Sequence, residues 1–295
     1  MLSAYPKRAQ RLKVLEGKSL QEISAYAQKH KLPLMSKQNA NKILARLKSL
    51  MQYAVSKNII SYNPCKEIEF HISAAEKEET ARKPFSDNQL QKLFETEAFE
   101  KNYPLGPSKF WVPLIALFHG FRMEEILLLT LNEVKIDKKS GARYFDLTEF
   151  TTDKLKNLNA RRRVPFHPIM KKLGFYRYLE TCKNNKGRRL FPGVKKGSDG
   201  TYRKRFSQDF TRYSKKVGVH TKQTVFHSFR HNFAVACTNG GIPIDYENAL
   251  AGWTMQGGQK GTYKKPKDLD IGKLAVMMAR IEYPKLDLSH LYKDN

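Results

Sequence analysis

The chain has 295 residues, of which 40% are hydrophobic and 11% aromatic, so it can bury the core of one large domain or two smaller ones. Its 54 Lys and Arg residues against 28 Asp and Glu residues give a formal net charge of +26, which indicates a polyanionic partner, nucleic acid first. No apolar run approaches the roughly 18 residues of a membrane span, and three widely separated cysteines indicate ordinary thiols, so a soluble intracellular protein is expected.

The N-terminal part of the chain has the pattern of a small helical region that ends in a linker. Helical periodicity is weak over 20–30 and clear over 38–57, so two helices are expected there. The second is amphipathic, and its apolar face carries Ile43, Leu47, Leu50, Met51 and Ala54. Residues 71–84 are charged, poor in large apolar side chains and closed by Pro84, which is typical of a linker between domains.

A second domain is predicted to begin at Phe85. Ser86 and Gln89 have the spacing of a capping box, and Phe85 and Leu90 have the spacing of a hydrophobic staple. Together these two patterns predict a helix that starts near Asp87.

Helices and short strands alternate in the rest of the chain. Residues 110–118 and 122–131 have helical periodicity and are expected to form two helices. The period then becomes that of strands, at 134–137, 143–147 and 163–167. From Pro168 onward the pattern is helical again, and the last helix is expected over 270–283. One apolar stripe in this part is more typical of core than of a chemical site: Tyr202, Phe206, Phe210, Tyr213 and Val217.

Four separated segments of the chain combine Arg, His, Lys and Tyr in a recognisable order. They are ALFHGFRMEEILLLTLNEV (116–134), KLKNLNARRRVPFHP (154–168), HSFRHNFA (227–234) and LAGWTMQGGQKGTY (250–263). These segments resemble the boxes of the tyrosine recombinase (phage-type integrase) family. Each segment alone is a weak signal, because R-x-x-E and H-x-x-R occur by chance in many helices. Four of them in the family's order, on a very basic chain, form a specific pattern, and the resemblance covers about 36–290.

The resemblance implies a mainly α fold with a small antiparallel β-sheet, a tyrosine recombinase catalytic domain at 85–295. A linker at 76–84 and a partial helical core-binding domain at 1–75, which clamps DNA in the family, are expected before it. The implied activity is site-specific recombination, in which DNA strands are cleaved and rejoined through a 3′-phosphotyrosine intermediate. The expected role is integration or excision of a mobile element such as a prophage.

The same resemblance implies the residues of the reaction site. Arg122 and Arg230 are expected to bind the scissile phosphate, because a guanidinium is planar, always charged and bidentate toward phosphate. His227 lies one helical turn before Arg230 and is expected to position the phosphate or to help remove a proton from the nucleophile. Glu125, three residues after Arg122, is expected either to support the arginines or to be a surface acid.

Tyr263, at the end of the fourth segment, is the expected nucleophile, which becomes joined to the DNA phosphate. It lies ten residues after Trp253, in a stretch rich in Gly and Lys. Tyr246 and Tyr283 are the alternatives, but both lie among apolar helical residues, as structural tyrosines do. Trp253 stands where many relatives have histidine, and its indole N–H can donate to a phosphate oxygen.

Departure of the 5′-oxygen of the cleaved strand requires a general acid, and in the family a lysine of the β-hairpin supplies the proton. Lys156, which lies eight residues before Val164, is the first choice for this role. Lys154 is the alternative, because hairpin lengths vary. No metal ion and no cofactor are expected, since the sequence has neither a P-loop nor clustered acidic ligands.

Basic side chains outside the reaction site are expected to hold the DNA backbone. The stretch 183–205 contains nine Lys or Arg residues and one acid, interrupted by aromatic side chains, which favours phosphate contacts over a merely solvated face. The predicted DNA-binding residues are Lys42, Arg46, Lys195, Lys196, Arg203, Lys204 and Arg205.

The expected partner is double-stranded DNA, on which the family assembles as a homotetramer, while the free chain is expected to be a monomer. Accessory DNA-bending or excisionase proteins are further candidate partners, no membrane is expected, and the expected location is the bacterial cytoplasm, associated with the nucleoid. The last helix, at 270–283, is expected to pack on a neighbouring protomer. Two other functions stay open: a catalytically degenerate DNA-binding relative, and an enzyme that resembles type IB topoisomerases.

Overall fold

In the computed structural model, which describes residues 5–7, 9–96, 106–148, 161–184, 189–253 and 269–293, the chain divides after Ala81 into two units. The N-terminal unit is Met1–Ala81 and the C-terminal unit is Arg82–Asn295. The boundary between them falls inside the stretch 76–84, which the sequence predicts to be a linker. Within the described ranges, no helix is both long enough and apolar enough to cross a membrane.

Three α-helices form most of the N-terminal unit among its described residues: α1 (Leu20–Lys29), α2 (Lys37–Ser56) and α3 (Ala74–Thr80). Each begins after a serine whose side-chain oxygen accepts a hydrogen bond from the backbone N–H three residues later; these are Ser19, Ser36 and Ser73. Such a cap stabilises a helix by about 1 kcal/mol, so the three helix starts are set locally. An ion pair joins α3 to α2, with 2.8 Å between Lys37 Nζ and Glu76 Oε1.

The apolar face of α2 is only partly covered in the structure. Ala40 and Leu44 are buried, whereas Ile43 and Leu50 are 37% and 60% exposed. The buried contacts come from the neighbouring face of the helix, at positions four residues apart. Leu47, Met51 and Ala54 are half-buried, so the hydrophobic periodicity predicts the helix correctly and its buried face only in part.

The C-terminal unit begins with the capped helix that the sequence predicts. In α4 (Asp87–Phe94), Ser86 Oγ accepts a hydrogen bond from Gln89 N at 3.3 Å, while Gln89 Oε1 accepts one from Ser86 N at 3.0 Å. Phe85 and Leu90 are both buried, which confirms the hydrophobic staple.

Eight further α-helices follow among the described residues: α5 (Pro107–His119), α6 (Met123–Leu128), α7 (Ile169–Lys172), α8 (Phe175–Asn184), α9 (Tyr202–Lys216), α10 (Ser228–Asn239), α11 (Ile244–Ala251) and α12 (Ile271–Ala279). The central one is α5, in which every residue from Phe110 to His119 is buried and which packs against α10. Only a helix that is apolar on nearly all sides can be buried in this way.

Three short strands form one antiparallel sheet in the order β1 (Val134–Ile136), β2 (Arg143–Asp146) and β3 (Arg163–Pro165). In the register of the strands, Phe145 pairs with Val134 on one side and with Val164 on the other. Phe145 and Val164 are fully buried, so this face of the sheet packs on the helical core. The mainly helical fold with a small antiparallel sheet confirms the predicted fold class.

The apolar stripe of α9 belongs to the core, as the sequence predicts. Phe206 and Phe210 are buried. The other members of the stripe pack against the same cluster and are Tyr202, Tyr213 and Val217. The ring of Phe210 lies 5.5 Å from that of Phe229, between ring centroids, which ties α9 to α10.

The last helix, α12, packs on its own chain. Ile271, Leu274 and Met278 are buried in the core cluster, and the helix lies against β3 and α11. The sequence predicts a helix over 270–283 that packs on a neighbouring protomer. The helix is present, but its three buried side chains complete the core of the same chain.

We predict that Asn232→Ala lowers the free energy of unfolding by about 2–4 kcal/mol, because it leaves two buried backbone groups without their partner. Asn232 Oδ1 accepts a hydrogen bond from Phe85 N at 2.9 Å, and its Nδ2 donates one to Phe85 O at 2.7 Å. Urea denaturation at neutral pH measures the change. Thr238→Ala, at an exposed position of the same helix, is the control, and equal losses for the two variants would contradict the prediction.

Candidate active site

The turn between α5 and α6 presents the first arginine. α5 ends at Gly120, whose φ of +63° lies in the left-handed region that glycine adopts without strain. A Cβ added there would lie 2.5 Å from the ring of Phe233, so the close approach of α10 also requires glycine. Arg122 is then the N-cap residue of α6, with 41% of its side chain exposed.

A buried carboxylate, that of Glu125, lies between Arg122 and Arg162. Its Oε1 accepts a hydrogen bond from Arg122 Nη1 at 2.8 Å, and its Oε2 accepts one from Arg162 Nη2 at 2.8 Å. Oε2 also accepts a bond from the backbone N–H of Arg122 at 2.9 Å, which fixes the carboxylate to the first turn of α6. Glu125 is 4% exposed, so the surface-acid alternative for this residue is wrong.

The charges around Glu125 hold it in the ionised form. Burial raises the pKa of this carboxyl, but the positive charges and hydrogen bonds of Arg162 and then of Arg122 outweigh burial and lower the pKa to about 2. The carboxylate is therefore fully ionised at neutral pH, and both arginines keep a counter-charge.

Arg230, on the first turn of α10, is buried and is held by two helix ends. Its Nη2 donates to Ala251 O at 2.6 Å, and its Nη1 donates to Gly120 O. These carbonyls lie at the C-terminal ends of α11 and α5, where the helix dipole places negative charge. Desolvation first, and then the charges of Arg162 and Arg122, lower the pKa of Arg230 to about 9, so its guanidinium is still charged at neutral pH.

Trp253 follows the glycine that ends α11. Gly252 has a φ of +66°, and a Cβ at this position would lie 2.8 Å from Arg162 Nη1, so another residue would be strained there. Beyond this turn, the ring of Trp253 stacks on Arg230, with 4.9 Å between the ring centroid and Cζ.

His227 is the N-cap residue of α10 and lies one turn before Arg230. Its ring centroid is 5.3 Å from that of His231, four residues later on the same helix face. Desolvation, and then the charges of His231, Arg230 and Arg122, lower the pKa of His227 to about 4, so the ring is neutral at pH 7 and can accept a proton. The His227 side chain is exposed at the surface, where it can be reached by a bound DNA strand.

The structure brings five of the predicted site residues together: Arg122, Glu125, His227, Arg230 and Trp253. Three others lie outside the described residues: Lys154, Lys156 and Tyr263. Arg162 joins the cluster, and the sequence reasoning misses it. A signal for it exists, because Arg162 and Val164 lie two positions apart at β3, where strand alternation places them on the same side, and both are fully buried.

The two alternative tyrosines have structural positions. Tyr283 Oη donates a hydrogen bond to Leu117 O at 2.8 Å, and burial raises the pKa of this phenol well above its usual value. A phenol that is harder to ionise is a weaker nucleophile. Tyr246, on α11, packs half-buried against the core cluster.

The basic side chains that are predicted to hold DNA are all exposed. Lys42 and Arg46 lie four residues apart on α2 of the N-terminal unit. Lys195 and Lys196 precede α9 in the C-terminal unit. The first turns of α9 carry Arg203, Lys204 and Arg205.

Glu124 fixes the start of α9 beside α6. Its carboxylate oxygens accept hydrogen bonds from Tyr202 N at 3.1 Å and from Arg203 N at 2.7 Å. A carboxylate in this position caps the helix and complements its dipole. Because Glu124 and Glu125 are neighbours on α6, this one short helix holds both the arginine cluster and the first basic turn of α9.

We predict that Glu125 contributes roughly 3 kcal/mol to the free energy of unfolding at neutral pH, because its pKa is about 2 in the folded chain against an ordinary 4.5. A depressed folded-state pKa gives stability that is present above pH 4.5 and is lost as the pH falls toward 2. In urea denaturation, the difference between the parent and Glu125→Gln should therefore shrink as the pH is lowered through this window. A difference that does not change with pH would show that the ionised carboxylate is not its source.

One protein family matches the C-terminal unit of the chain. A family model described as "Phage integrase family" matches residues 83–263. No curated protein matches the sequence.

Three of the solved structures that are similar to the chain are integrases. The integrase from mycobacterium phage Brujita is 15% identical, with 90% of this chain and 79% of that chain covered and a TM-score of 0.44. The Tn1549 transposon integrase in complex with transposon right end DNA is 18% identical, with 84% of this chain and 75% of that chain covered and a TM-score of 0.47. The same integrase in complex with circular intermediate DNA is 16% identical, with 85% of this chain and 87% of that chain covered and a TM-score of 0.47. Because the family model covers more than half of the chain, the chain belongs to the phage integrase family and is a tyrosine-type site-specific recombinase.

Proposed function

We propose that the chain cleaves and rejoins DNA strands through a covalent 3′-phosphotyrosine intermediate, and so integrates or excises a mobile element. The observation that carries this proposal is the cluster of three arginines, Arg122, Arg162 and Arg230, around the single carboxylate of Glu125. Three guanidinium groups and one carboxylate leave an excess charge of about +2, which suits a phosphodiester that gains negative charge in the transition state. Membership of the phage integrase family supports the same reaction class.

Arg122 and Arg230 are the proposed ligands of the scissile phosphate. The Glu125 carboxylate fixes the guanidinium of Arg122, and the two helix-end carbonyls fix that of Arg230. A guanidinium has five N–H donors in one plane, so an arginine that is fixed at one edge can offer its other edge to the nonbridging oxygens. Donors that are already in place need no reorganisation when charge develops on the phosphate.

His227 and Trp253 are the proposed neighbours of the same phosphate. His227 would accept the proton of the nucleophile, because its imidazole is neutral at pH 7 and lies beside Arg230. Trp253 would donate its indole N–H to a phosphate oxygen. Its ring face stacks on Arg230, but the N–H lies at the ring edge, so both contacts can be made at once.

Tyr263 and Lys156 complete the proposed reaction from outside the described residues. The Tyr263 oxygen attacks phosphorus while its proton passes to His227, the bond from phosphorus to the 5′-oxygen breaks, and Lys156 gives that oxygen a proton. Lys154 is the alternative acid. Attack by the 5′-hydroxyl of another strand reverses the step, because the phosphotyrosine bond conserves the energy of the phosphodiester.

Double-stranded DNA is the proposed partner, held by the exposed lysines and arginines of both units. The net charge of +26 supports this, since a polyanion relieves the self-repulsion of the chain. The C-terminal unit would be the catalytic domain and the N-terminal unit a partial core-binding domain, joined through 76–84. A homotetramer on DNA would carry out strand exchange, with accessory DNA-bending or excisionase proteins directing its outcome.

Covalent trapping tests the nucleophile. The parent protein, mixed with nicked duplexes from a candidate attachment site and denatured in detergent, is expected to give a protein–DNA adduct. Tyr263→Phe is expected to give none, because it lacks the attacking oxygen, while the control variant Tyr246→Phe keeps the adduct. An adduct that persists in Tyr263→Phe would place the nucleophile on another residue.

The trapping experiment and a plasmid-relaxation assay together separate the alternative functions. Tight DNA binding by the parent without any adduct would favour a catalytically degenerate DNA-binding relative. Relaxation of supercoiled plasmids that lack a target site would favour an enzyme of the type IB topoisomerase kind.

The first basic turn of α9 is predicted to contribute phosphate contacts. Changing Arg203→Gln together with Lys204→Gln should weaken binding to any duplex and reduce the slope of log K against log salt concentration by about 2, since each phosphate contact contributes roughly 0.9. Fluorescence anisotropy over a salt series measures the slope. The control removes two equal charges at the other end of the helix, Lys215→Gln with Lys216→Gln. If both pairs reduce the slope equally, only the overall charge matters and the contact surface is misassigned.

A further inference from the structure

Arg162, which immediately precedes β3, is the arginine of the cluster to which the family resemblance gives no role. Its side chain is fully buried, with 0% of its surface exposed. A buried guanidinium is tolerated only where the protein supplies it with charge and hydrogen bonds. Here Nη2 donates to Glu125 Oε2 at 2.8 Å and Nε donates to Leu250 O at 2.9 Å. The guanidinium carbon also lies 4.8 Å from the centre of the Phe121 ring.

Through Glu125, Arg162 reaches Arg122. Arg162 holds both oxygens of the carboxylate, with Nη2 at 2.8 Å from Oε2 and Nη1 at 3.4 Å from Oε1, and Arg122 Nη1 donates to Oε1 at 2.8 Å. The long side chain of Arg122 is 41% exposed, so it would sample several rotamers if the carboxylate were not fixed. A carboxylate that is held from the buried side therefore determines where the exposed guanidinium lies.

Arg162 also packs on the turn that ends α11. Its Nε binds the carbonyl of Leu250 in the last turn of that helix. Gly252 leaves room for the guanidinium, since a Cβ there would lie 2.8 Å from Arg162 Nη1. The chain leads from this turn toward Tyr263, so one buried side chain contacts both the α6 part and the α11 part of the site.

We propose that Arg162 is a positioning residue for strand cleavage, which orients Arg122 through Glu125 and does not contact DNA itself. This rests on the proposed function, in which Arg122 binds the scissile phosphate. The contact with the Leu250 carbonyl holds the turn before Trp253 at a fixed position relative to Arg122. Loss of Arg162 should then slow cleavage without weakening DNA binding, because the contacts that hold the DNA backbone lie elsewhere.

Arg162→Lys tests this role, since lysine keeps the positive charge but cannot bind both the carboxylate and the Leu250 carbonyl from one planar group. We expect covalent cleavage of a nicked duplex to slow by about 100-fold, the loss typical of a misplaced catalytic group, and DNA affinity to stay within about 2-fold. The matched control is Arg163→Lys, at the next residue and the first of β3, where Nη2 donates to Leu269 O at 3.0 Å; it should leave the cleavage rate within about 3-fold of the parent.

A second substrate separates the positioning of Arg122 from a general structural defect. A methylphosphonate at the scissile position replaces one charged nonbridging oxygen by a methyl group, so the transition state depends less on Arg122. The loss in cleavage rate caused by Arg162→Lys should fall from about 100-fold on the phosphate to a few-fold on the methylphosphonate. The loss caused by Arg122→Lys should fall in the same way. An equal loss on both substrates, or no loss on the phosphate, would overturn the proposal.

Glu125→Asp interrupts the same link and replaces Arg162→Lys if that variant does not fold. The shorter carboxylate keeps its charge but does not span both arginines. The loss in cleavage rate caused by Glu125→Asp should therefore also be smaller on the methylphosphonate than on the phosphate, and an equal loss on both substrates overturns the proposal. Failure of the proposed function would give a different result, because the parent protein itself would then form no covalent adduct with the nicked phosphate duplex.

Discussion

One buried carboxylate held between two arginines determines the geometry of the site. Burying an ion costs several kcal/mol unless it is paired and hydrogen-bonded, and a well-packed apolar group can often replace a buried ion pair without loss of stability. The ion pair of Glu125 with Arg162 is therefore better explained by its effect on the position of Arg122 than by a net gain in the stability of the fold. An apolar replacement could fill the same volume, but it could not hold Arg122 at the surface with its guanidinium fixed.

Helix ends supply the second source of negative charge. Arg230 is held by terminal carbonyls of α5 and α11 instead of by a carboxylate, so its charge is offset only in part. Gly120 and Gly252 end these helices in the left-handed conformation, which turns the chain away while the carbonyls still face the arginine. The lowered pKa of Arg230, which follows from burial first and from neighbouring arginines second, records the cost of this surplus charge. A bound phosphodiester would offset the same surplus of positive charge, so the affinity for phosphate and the repulsion among the arginines have one origin.

The parts of the fold that depend on neighbouring residues could be predicted from the sequence. The cap at Ser86 and the one-turn spacing of His227 and Arg230 each involve a single helical turn, so a short pattern is sufficient. The contacts of Arg162 and Asn232 could not be predicted, because their partners lie far along the chain. Strand alternation with Val164 indicates that Arg162 is buried, but it does not identify Glu125 as the partner. The difference between the predicted and the buried face of α2 has the same cause. Periodicity identifies a helix, whereas tertiary packing determines how far each of its faces is buried.

The burial of α12 limits how the homotetramer proposed above could use this helix. Burial of each large apolar side chain is worth roughly 1.5–3 kcal/mol, so withdrawing Ile271, Leu274 and Met278 from their own core would cost about 5–9 kcal/mol. A neighbour could take this helix only if it offered an equally apolar groove. In the homotetramer proposed above, each protomer would offer the same contacts beside β3 and α11, so exchange of α12 around a closed ring would leave all of these contacts filled and the cost would cancel. In a single protomer, no second copy of α12 is present, so the helix packs on its own chain. Its packing in the structure and the predicted packing on a neighbour would therefore bury the same three side chains in the same surroundings.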